Sequence, residues 1–554
     1  MSTIWKHSPS IWRGILIVTL FSVTLITCIA GYSESGSLWP DSARYGNAAL
    51  MIQYWLTSDQ FLNPLGFAET IYRQYPGFSV PYHPPIYPGL LSLALLVFGS
   101  SYLVVRILIA LFLALAVFAF MDNCTRLGQG FSATILAGFL LLSMPELIMW
   151  SRDTMSEVPA IALFLVATSF FLRWYESSKT WLLVLAFVFA ELSFLSRVTT
   201  IGLMPIWYLW LAFNGRFRDC FRLPPLIFGG SYIFLNLLWI KIVVAPFAQF
   251  ELSGNSIWQI ATPFHVDVFS FYLLAAVKSA GWGTVLLACS AAVLCALCRS
   301  VNHLNSQLLK FWSLFFVVFI VFLCAQGITE HRYVLFATLG IAGMSAASLS
   351  FLIVRFGIAT GVFSVLIAVA LNVALAPSLP NGIVGFDRLA QLVDKRQEPG
   401  NVLTAIWYDQ DFMFRYQLES PSVSRTIFRS DRVLAVRTSS YSIHQPRILV
   451  TDQEGFLETL RKGRIRFILT CDCDNGTWIE SLQTPENKLT HQVVSQRTDL
   501  FEMIGHSTVS IEFTPNQSMF SPTRMVVFLW RYTAELESGE DELEVPIPNS
   551  GAAL

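Results

Sequence analysis

Asp41 and Arg44 stand close together in "PDSARY", Tyr45 follows at once, and further acids, guanidiniums and a histidine recur up to residue 333. They are His83 in "PYHPP", Asp153 and Glu157 in "SRDTMSE", Arg197 in "FLSRVT" and the Arg332-Tyr333 pair in "EHRY". A carboxylate can take a proton from an incoming hydroxyl or amine, or orient it. Guanidinium groups match phosphate oxygens with paired hydrogen bonds and keep their charge at any working pH. Together these parts suit a reaction in which a base prepares a nucleophile while cations neutralise a departing phosphate. Taken singly, each residue is better explained as a solvated loop end; taken as a set, they suit one polar cavity.

The elements that must position them are those of a membrane protein. The chain has 554 residues, of which 54% are hydrophobic and 13% charged, a balance too apolar for a soluble protein of this length. Its net charge of −1, without a basic stripe, sets aside nucleic acid as a partner. A spanning helix needs about 20 mostly apolar residues. Eleven runs approach that length: 14–30, 102–121, 132–149, 156–172, 180–196, 198–213, 224–244, 280–298, 311–327, 333–353 and 356–376. The loops "DNCTRLGQG", "RWYESSK", "NGRFRDCFR" and "CRSVNHLNSQLLK" all carry Lys or Arg and fall on one side. By the positive-inside rule that side is the cytoplasm.

The expectation is therefore an α-helical, integral multi-pass protein of the plasma or inner membrane, with its N-terminus cytoplasmic and its polar C-terminal part extracytoplasmic. Lys6 and Arg13 precede the first run without a small-residue cleavage site, which reads as an uncleaved span. The run "IYPGLLSLALLVF" (86–98) is too short to cross and follows Pro84 and Pro85, so it is expected as an interfacial helix within the first outer loop, 31–101. On this threading every candidate residue comes to the outer face.

Past residue 380 the pattern changes. "NVLTAIWY", "RILVTD" and "RIRFILT" are short β-like runs, and "QEGFLETLRKG" between the last two has helical apolar spacing closed by Gly463. With "STVSIEF" and "RMVVFLWRY" they predict a small extracytoplasmic α/β domain over 380–534, followed by an acidic tail, 535–554, expected to lack structure. No nucleophile elbow, phosphate-cradling glycine loop or metal-ligand cluster is visible in this domain, which marks it as accessory to a membrane catalytic domain over 1–379.

The series "PDSARY", "YHPPIYPGLLSLALLVFG", "SYLVVRIL", "SRDTMSEVPAIALFLVATSFFLRW", "AELSFLSRVTTIGLMPIWYLWL" and "HRYVLFATLGIA", in this order, resembles the GT-C superfamily of polyprenyl-phosphate-sugar glycosyltransferases. The similarity is to the branch of protein O-mannosyltransferases and lipid A aminoarabinose transferases, and covers roughly residues 10–350. The resemblance implies an inverting transfer of one sugar from a polyprenyl-phosphate carrier to an extracytoplasmic acceptor. Asp41 takes the position of the family's first-loop acid, the catalytic base or acceptor-orienting group. His83, Arg197, Arg332 and Tyr333 would surround the lipid phosphate, while Arg44, Tyr45, Asp153 and Glu157 would hold acceptor or sugar. No organic cofactor or metal ligand set is implied, and a divalent cation is left open.

Three positions depart from the family pattern. Ser42 follows the first acid in place of Glu, His83 stands where many relatives place Lys, and Glu191 replaces a customary Gly. A histidine at 83 would make phosphate binding depend on pH. Two rival readings use the same polar cavity: a transporter or flippase for a lipid-linked sugar, and a non-catalytic scaffold. Transporters tend to show two similar halves with interrupted helices, and the sequence displays no such repeat. The many aromatics of the first loop fit an interfacial belt better than sugar stacking.

Overall fold

Apolar runs in a bilayer must satisfy every backbone N–H and C=O within themselves, and helices do so. The computed structural model describes residues 10–29, 37, 39–74, 83–241, 266–297, 303–326, 331–376, 382–419, 425–436, 447–473, 484–512, 523–536, 543 and 545. These belong to two compact units. The first draws on Met1–Ala30, Arg106–Ile242 and Ile257–Leu379; the second on Gly31–Val105, Val243–Ser256 and Pro380–Leu554.

The first unit is helical. Among the described residues four helices are long and apolar enough to cross a membrane: Tyr102–Arg126, Glu157–Ser177, Ser306–Ala325 and His331–Phe356. The first of these begins just inside the second unit. Shorter apolar helices occupy most of the other expected runs: Phe131–Leu142, Thr180–Phe194, Val198–Phe213, Leu223–Trp239 and Ile358–Ala374.

Two runs differ from their expected form. The 132–149 run is split into Phe131–Leu142 and Pro145–Trp150, because Pro145 has no N–H to continue a helix and instead opens the next one. The 280–298 run is the second arm of a bent pair: Val266–Ala280, expected as loop, is helical and meets Trp282–Ala291 at 106°. Gly281, at φ +84°, makes the corner. Asn372 from the Ile358–Ala374 helix fills it, its Oδ1 accepting from the N–H groups of Gly283 (2.9 Å) and Thr284 (3.2 Å). Its Nδ2 donates to Ser143 Oγ and Thr284 Oγ1. The second arm therefore starts with two of its orphan donors satisfied.

The second unit holds a six-stranded sheet in the order β1-β7-β8-β6-β2-β3. The strands are β1 (Gly382–Val384), β2 (Asn401–Ala405), β3 (Ile427–Arg429), β6 (Ile465–Cys473), β7 (Phe501–Glu512) and β8 (Thr523–Tyr532). β2 runs parallel to β3 and β6, while the β1–β7, β7–β8 and β6–β8 pairs are antiparallel. The "RILVTD" run stays out of this sheet: β5 (Arg447–Ile448) pairs with β4 (Ala435–Val436) as a separate ribbon. The helix read from "QEGFLETLRKG" is Gln453–Lys462, started by Asp452, whose carboxylate accepts from Gly455 N at 2.8 Å. Its Phe456, Leu457 and Leu460 enter the sheet core. Of the tail expected to lack structure, Val545 packs into that core at 3% exposure and Leu543 lies against it, because both are apolar residues set among acids.

Also in this unit are the first-loop helices Pro40–Thr57, Pro64–Gln74 and Ile86–Phe98. Pro40–Thr57 lies along the Asp409–Glu419 helix that follows β2. Asn47 Nδ2 donates to Gln410 O at 3.0 Å and Tyr54 OH to Gln417 Oε1 at 2.7 Å. Next to Asn47, Gly46 faces the ring of Phe414 so closely that a Cβ there would lie 2.3 Å from a ring carbon. Ser37 O accepts from Ile383 N at 2.9 Å, tying the same loop to β1.

Candidate functional site

The residues singled out from the sequence gather into two buried clusters, one in each unit. In the second unit, Pro40 sets the first turn of its helix, and Asp41 sits in that turn, where a negative charge meets the positive end of the helix dipole. Arg44 lies on the same face, with Nη1 3.4 Å from Asp41 Oδ1 and both side chains 11% exposed. The carboxylate is thus held by a guanidinium in a place with little water to screen either charge.

Tyr45, buried beside them, stacks on His83 with ring centroids 4.2 Å apart and planes at 22°. It also tilts against Tyr87 at 5.7 Å. The histidine from "PYHPP" thereby joins the acid from "PDSARY". The agent is the Ile86–Phe98 helix, which packs on Pro40–Thr57 and starts just after His83.

In the first unit Glu157 begins the Glu157–Ser177 helix and is wholly buried. Arg197 occupies the extended link (φ −158°, ψ 121°) before the Val198–Gly202 turn. Its Nη1 lies 2.9 Å from Glu157 Oε1 and 3.3 Å from Ser156 Oγ. Its Cζ is 5.2 Å from the centre of the Tyr333 ring, and the Cζ of buried Arg332 is also 5.2 Å from that ring. The electron-rich face of an aromatic ring lets two like-charged guanidiniums share one neighbour. Guanidiniums grouped in this way can present paired donors to an anionic ligand.

The acids of the "SRDTMSE" turn have immediate partners in the protein itself. Glu157 is engaged by Arg197. Asp153, 1% exposed, has an Oδ1 that accepts from Thr154 N at 2.8 Å and closes the turn after Pro145–Trp150. Ser156, which the sequence did not single out, is a further neighbour of Arg197.

A feature of the C-terminal domain was also invisible as a motif. A recess of about 560 Å³, counted out to the surface on which it opens, lies beyond the carboxyl ends of β2 and β3. Arg44, Trp407, Asp409, Arg429 and Asp431 are on its walls. Arg429 joins two of its acids, with Nε 2.7 Å from Asp409 Oδ2 and Nη2 2.9 Å from Asp431 Oδ2. Burial pushes the Asp409 carboxyl above the ordinary carboxylate range, against the pull of Arg429. The available signal was "AIWYDQDF", a strand end followed by acids at a helix start. Among the described residues no group of three or more His, Cys, Asp or Glu is placed to hold a metal ion.

Residues 82–246 match the family model described as dolichyl-phosphate-mannose-protein mannosyltransferase. A stretch of 148 residues is 31% identical to a polyprenol-phosphate-mannose–protein mannosyltransferase of Corynebacterium glutamicum. That stretch is 26% of this chain and 26% of the relative, so the chain spans about a quarter of the length of the curated protein it matches. Among solved structures, ArnT from Cupriavidus metallidurans bound to undecaprenyl phosphate is similar with a TM-score of 0.60 at 12% identity, over 96% of this chain and 100% of that one. The oligosaccharyltransferase of Archaeoglobus fulgidus in the apo form is similar with a TM-score of 0.50 at 13% identity, over 84% and 70%. At such identity the likeness is one of fold. The chain has the GT-C-like fold that its motif series implied, with a sheet domain after its apolar helices.

Proposed function

We propose that this chain is a membrane glycosyltransferase that moves a sugar from a polyprenyl-phosphate carrier to an extracytoplasmic acceptor. The observation that carries this reading is the paired guanidinium cluster of Arg197 and Arg332 on Tyr333, in a fold shared with an enzyme bound to undecaprenyl phosphate. These guanidiniums would hold the carrier phosphate and stabilise the charge it gains on departure. The acceptor oxygen attacks the anomeric carbon, the bond from that carbon to the phosphate oxygen breaks, and its electron pair leaves with the phosphate. A single displacement inverts the anomeric centre. The acceptor proton goes to Asp41, whose charge Arg44 keeps in place at 3.4 Å. Arg44 and Tyr45 would line the acceptor side, and Glu157 would serve by fixing Arg197.

The proposal includes eleven spans, a cytoplasmic N-terminus and an extracytoplasmic C-terminal domain over 380–534. It is tested with the purified full chain and polyprenyl-phosphate mannose, the donor class in the relative's name. Release of free polyprenyl phosphate supports transfer or donor hydrolysis. Movement of the intact lipid across a vesicle bilayer, without release, supports the transporter instead. Asp41→Asn is expected to lower release by about 10²–10⁴-fold while donor binding persists; wild-type turnover in that variant removes the role given to Asp41.

A further inference from the structure

The recess at the carboxyl ends of β2 and β3 has a built interior. Arg429 is 4% exposed and bridges Asp409 and Asp431, so a guanidinium occupies the place between the two acids that a metal ion would need. Asp431 is 7% exposed, and while its Oδ2 faces Arg429 its Oδ1 is buried with no hydrogen-bond partner among the described residues. A buried carboxylate oxygen left in that state costs about 1–3 kcal/mol or more. A ligand with a hydroxyl to donate removes that cost. Trp407 adds a flat apolar wall, and Asn487 an amide.

The backbone is also constrained there. Tyr408 adopts φ +62° between β2 and the Asp409–Glu419 helix, a conformation that a bulky residue takes only where its surroundings enforce it. In open α/β sheets such a crevice beyond the strand ends is where ligands bind.

Arg44 connects this recess to the candidate acid: it lines the recess and stands 3.4 Å from Asp41. The carboxylates Asp409, Asp411 and Asp431 are met by the guanidiniums Arg44 and Arg429 on the walls and by Arg432 acting on Asp409, so neither sign of charge dominates and a neutral polar ligand suits the recess. With hydroxyls for the carboxylates, hydroxyl oxygens for the guanidiniums and a C–H face for the indole, one class of molecule satisfies all three. We infer that the recess is a binding subsite for a neutral saccharide of the acceptor, placed by Arg44 beside Asp41. This inference rests on the reading of Asp41 as the acceptor-activating group.

The test uses the full chain in lipid nanodiscs, without donor, titrated with neutral gluco-, manno- and N-acetylhexosamine oligosaccharides and with a Ser/Thr-rich peptide. At least one oligosaccharide is expected to bind saturably. Trp407→Ala and Asp431→Asn are each expected to weaken it by tenfold or more, and Lys462→Ala, on the Gln453–Lys462 helix and outside the recess walls, to leave it unchanged. Thermal unfolding of each variant separates lost binding from lost folding, and Trp407→Phe, which keeps a ring, should retain part of the affinity. Binding of none of the sugars, or undiminished binding in folded Trp407→Ala and Asp431→Asn, overturns the inference. Capture of the peptide alone, lost in the same variants, overturns the saccharide class. If Asp41→Asn keeps full transfer while sugar binding follows the recess variants, the role of Asp41 falls and the subsite stands. If Asp41→Asn abolishes transfer while the recess variants bind normally, the subsite alone falls.

Discussion

Glu157 and Arg197 meet at 2.9 Å, with the carboxylate wholly buried and the guanidinium nearly so. Removing one member of a buried pair strands the other, at about 3–5 kcal/mol. Arg197→Ala should therefore both unfold at a markedly lower temperature and lose transfer. The double variant Arg197→Ala/Glu157→Gln removes the stranded charge and should regain most of the thermal stability without regaining turnover. Recovery of both together would make Arg197 a structural residue only.

Tyr333 carries two guanidiniums on its ring. Each such contact is worth about 0.5–2 kcal/mol. Tyr333→Ala is expected to weaken binding of polyprenyl phosphate about tenfold or more, by the arithmetic that 1.4 kcal/mol is a factor of ten. Tyr333→Phe keeps the ring and should bind close to wild type. Equal losses in both variants would assign the effect to the hydroxyl.

Gly46 has no room for a side chain: Phe414, 1% exposed, stands where a Cβ would go. Gly46→Ala should cost about 1–3 kcal/mol as overpacking and lower turnover, because the displaced helix carries Asp41. Thermal unfolding and polyprenyl phosphate release measure the two effects. A variant with unchanged stability and rate would show that the helix contact yields freely.

Asp409 gives a pH dependence with a definite sign. Its folded carboxyl titrates above the unfolded value because burial opposes ionisation. Its contribution to stability is therefore complete below the unfolded value of about 3.9 and is lost as pH rises through the folded one. Asp409→Asn lacks that titration. The stability difference, variant minus wild type, should grow in the variant's favour from about pH 4 upward and then level off. Unfolding midpoints of both proteins between pH 4 and 8 provide the measurement, and a difference that shrinks with pH would contradict it.

Much of this was legible in the chain itself. Hydropathy gave the helices, since bilayer burial demands long apolar runs, and β-like alternation gave β2, β6, β7 and β8. The residue types at 41, 83, 197 and 332 are the basis of the phosphate-handling chemistry proposed above, and the motif series gave the fold class. Two kinds of information were hidden. Breaks inside apolar runs depend on tertiary partners: the corner at Gly281 needs Asn372 from another helix, and no local signal announces that pairing. The recess is assembled from Arg44, Trp407 and Arg429, which come together only when the sheet forms and the first-loop helix lies on it. Short strands such as β3 and β4, of three and two residues, fall below what periodicity can detect.

The contact of Gly46 with Phe414, and the bonds from Asn47 and Tyr54 to the Asp409–Glu419 helix, have a consequence for engineering. The segment bearing the candidate carboxylate is grafted onto the sheet domain, although most of the chain's hydrophobic helices are encoded between them. A chimera that exchanges residues 382–545 for those of a relative would set a foreign surface against Pro40–Thr57. An exchange that keeps these contacts must swap both pieces as one cassette.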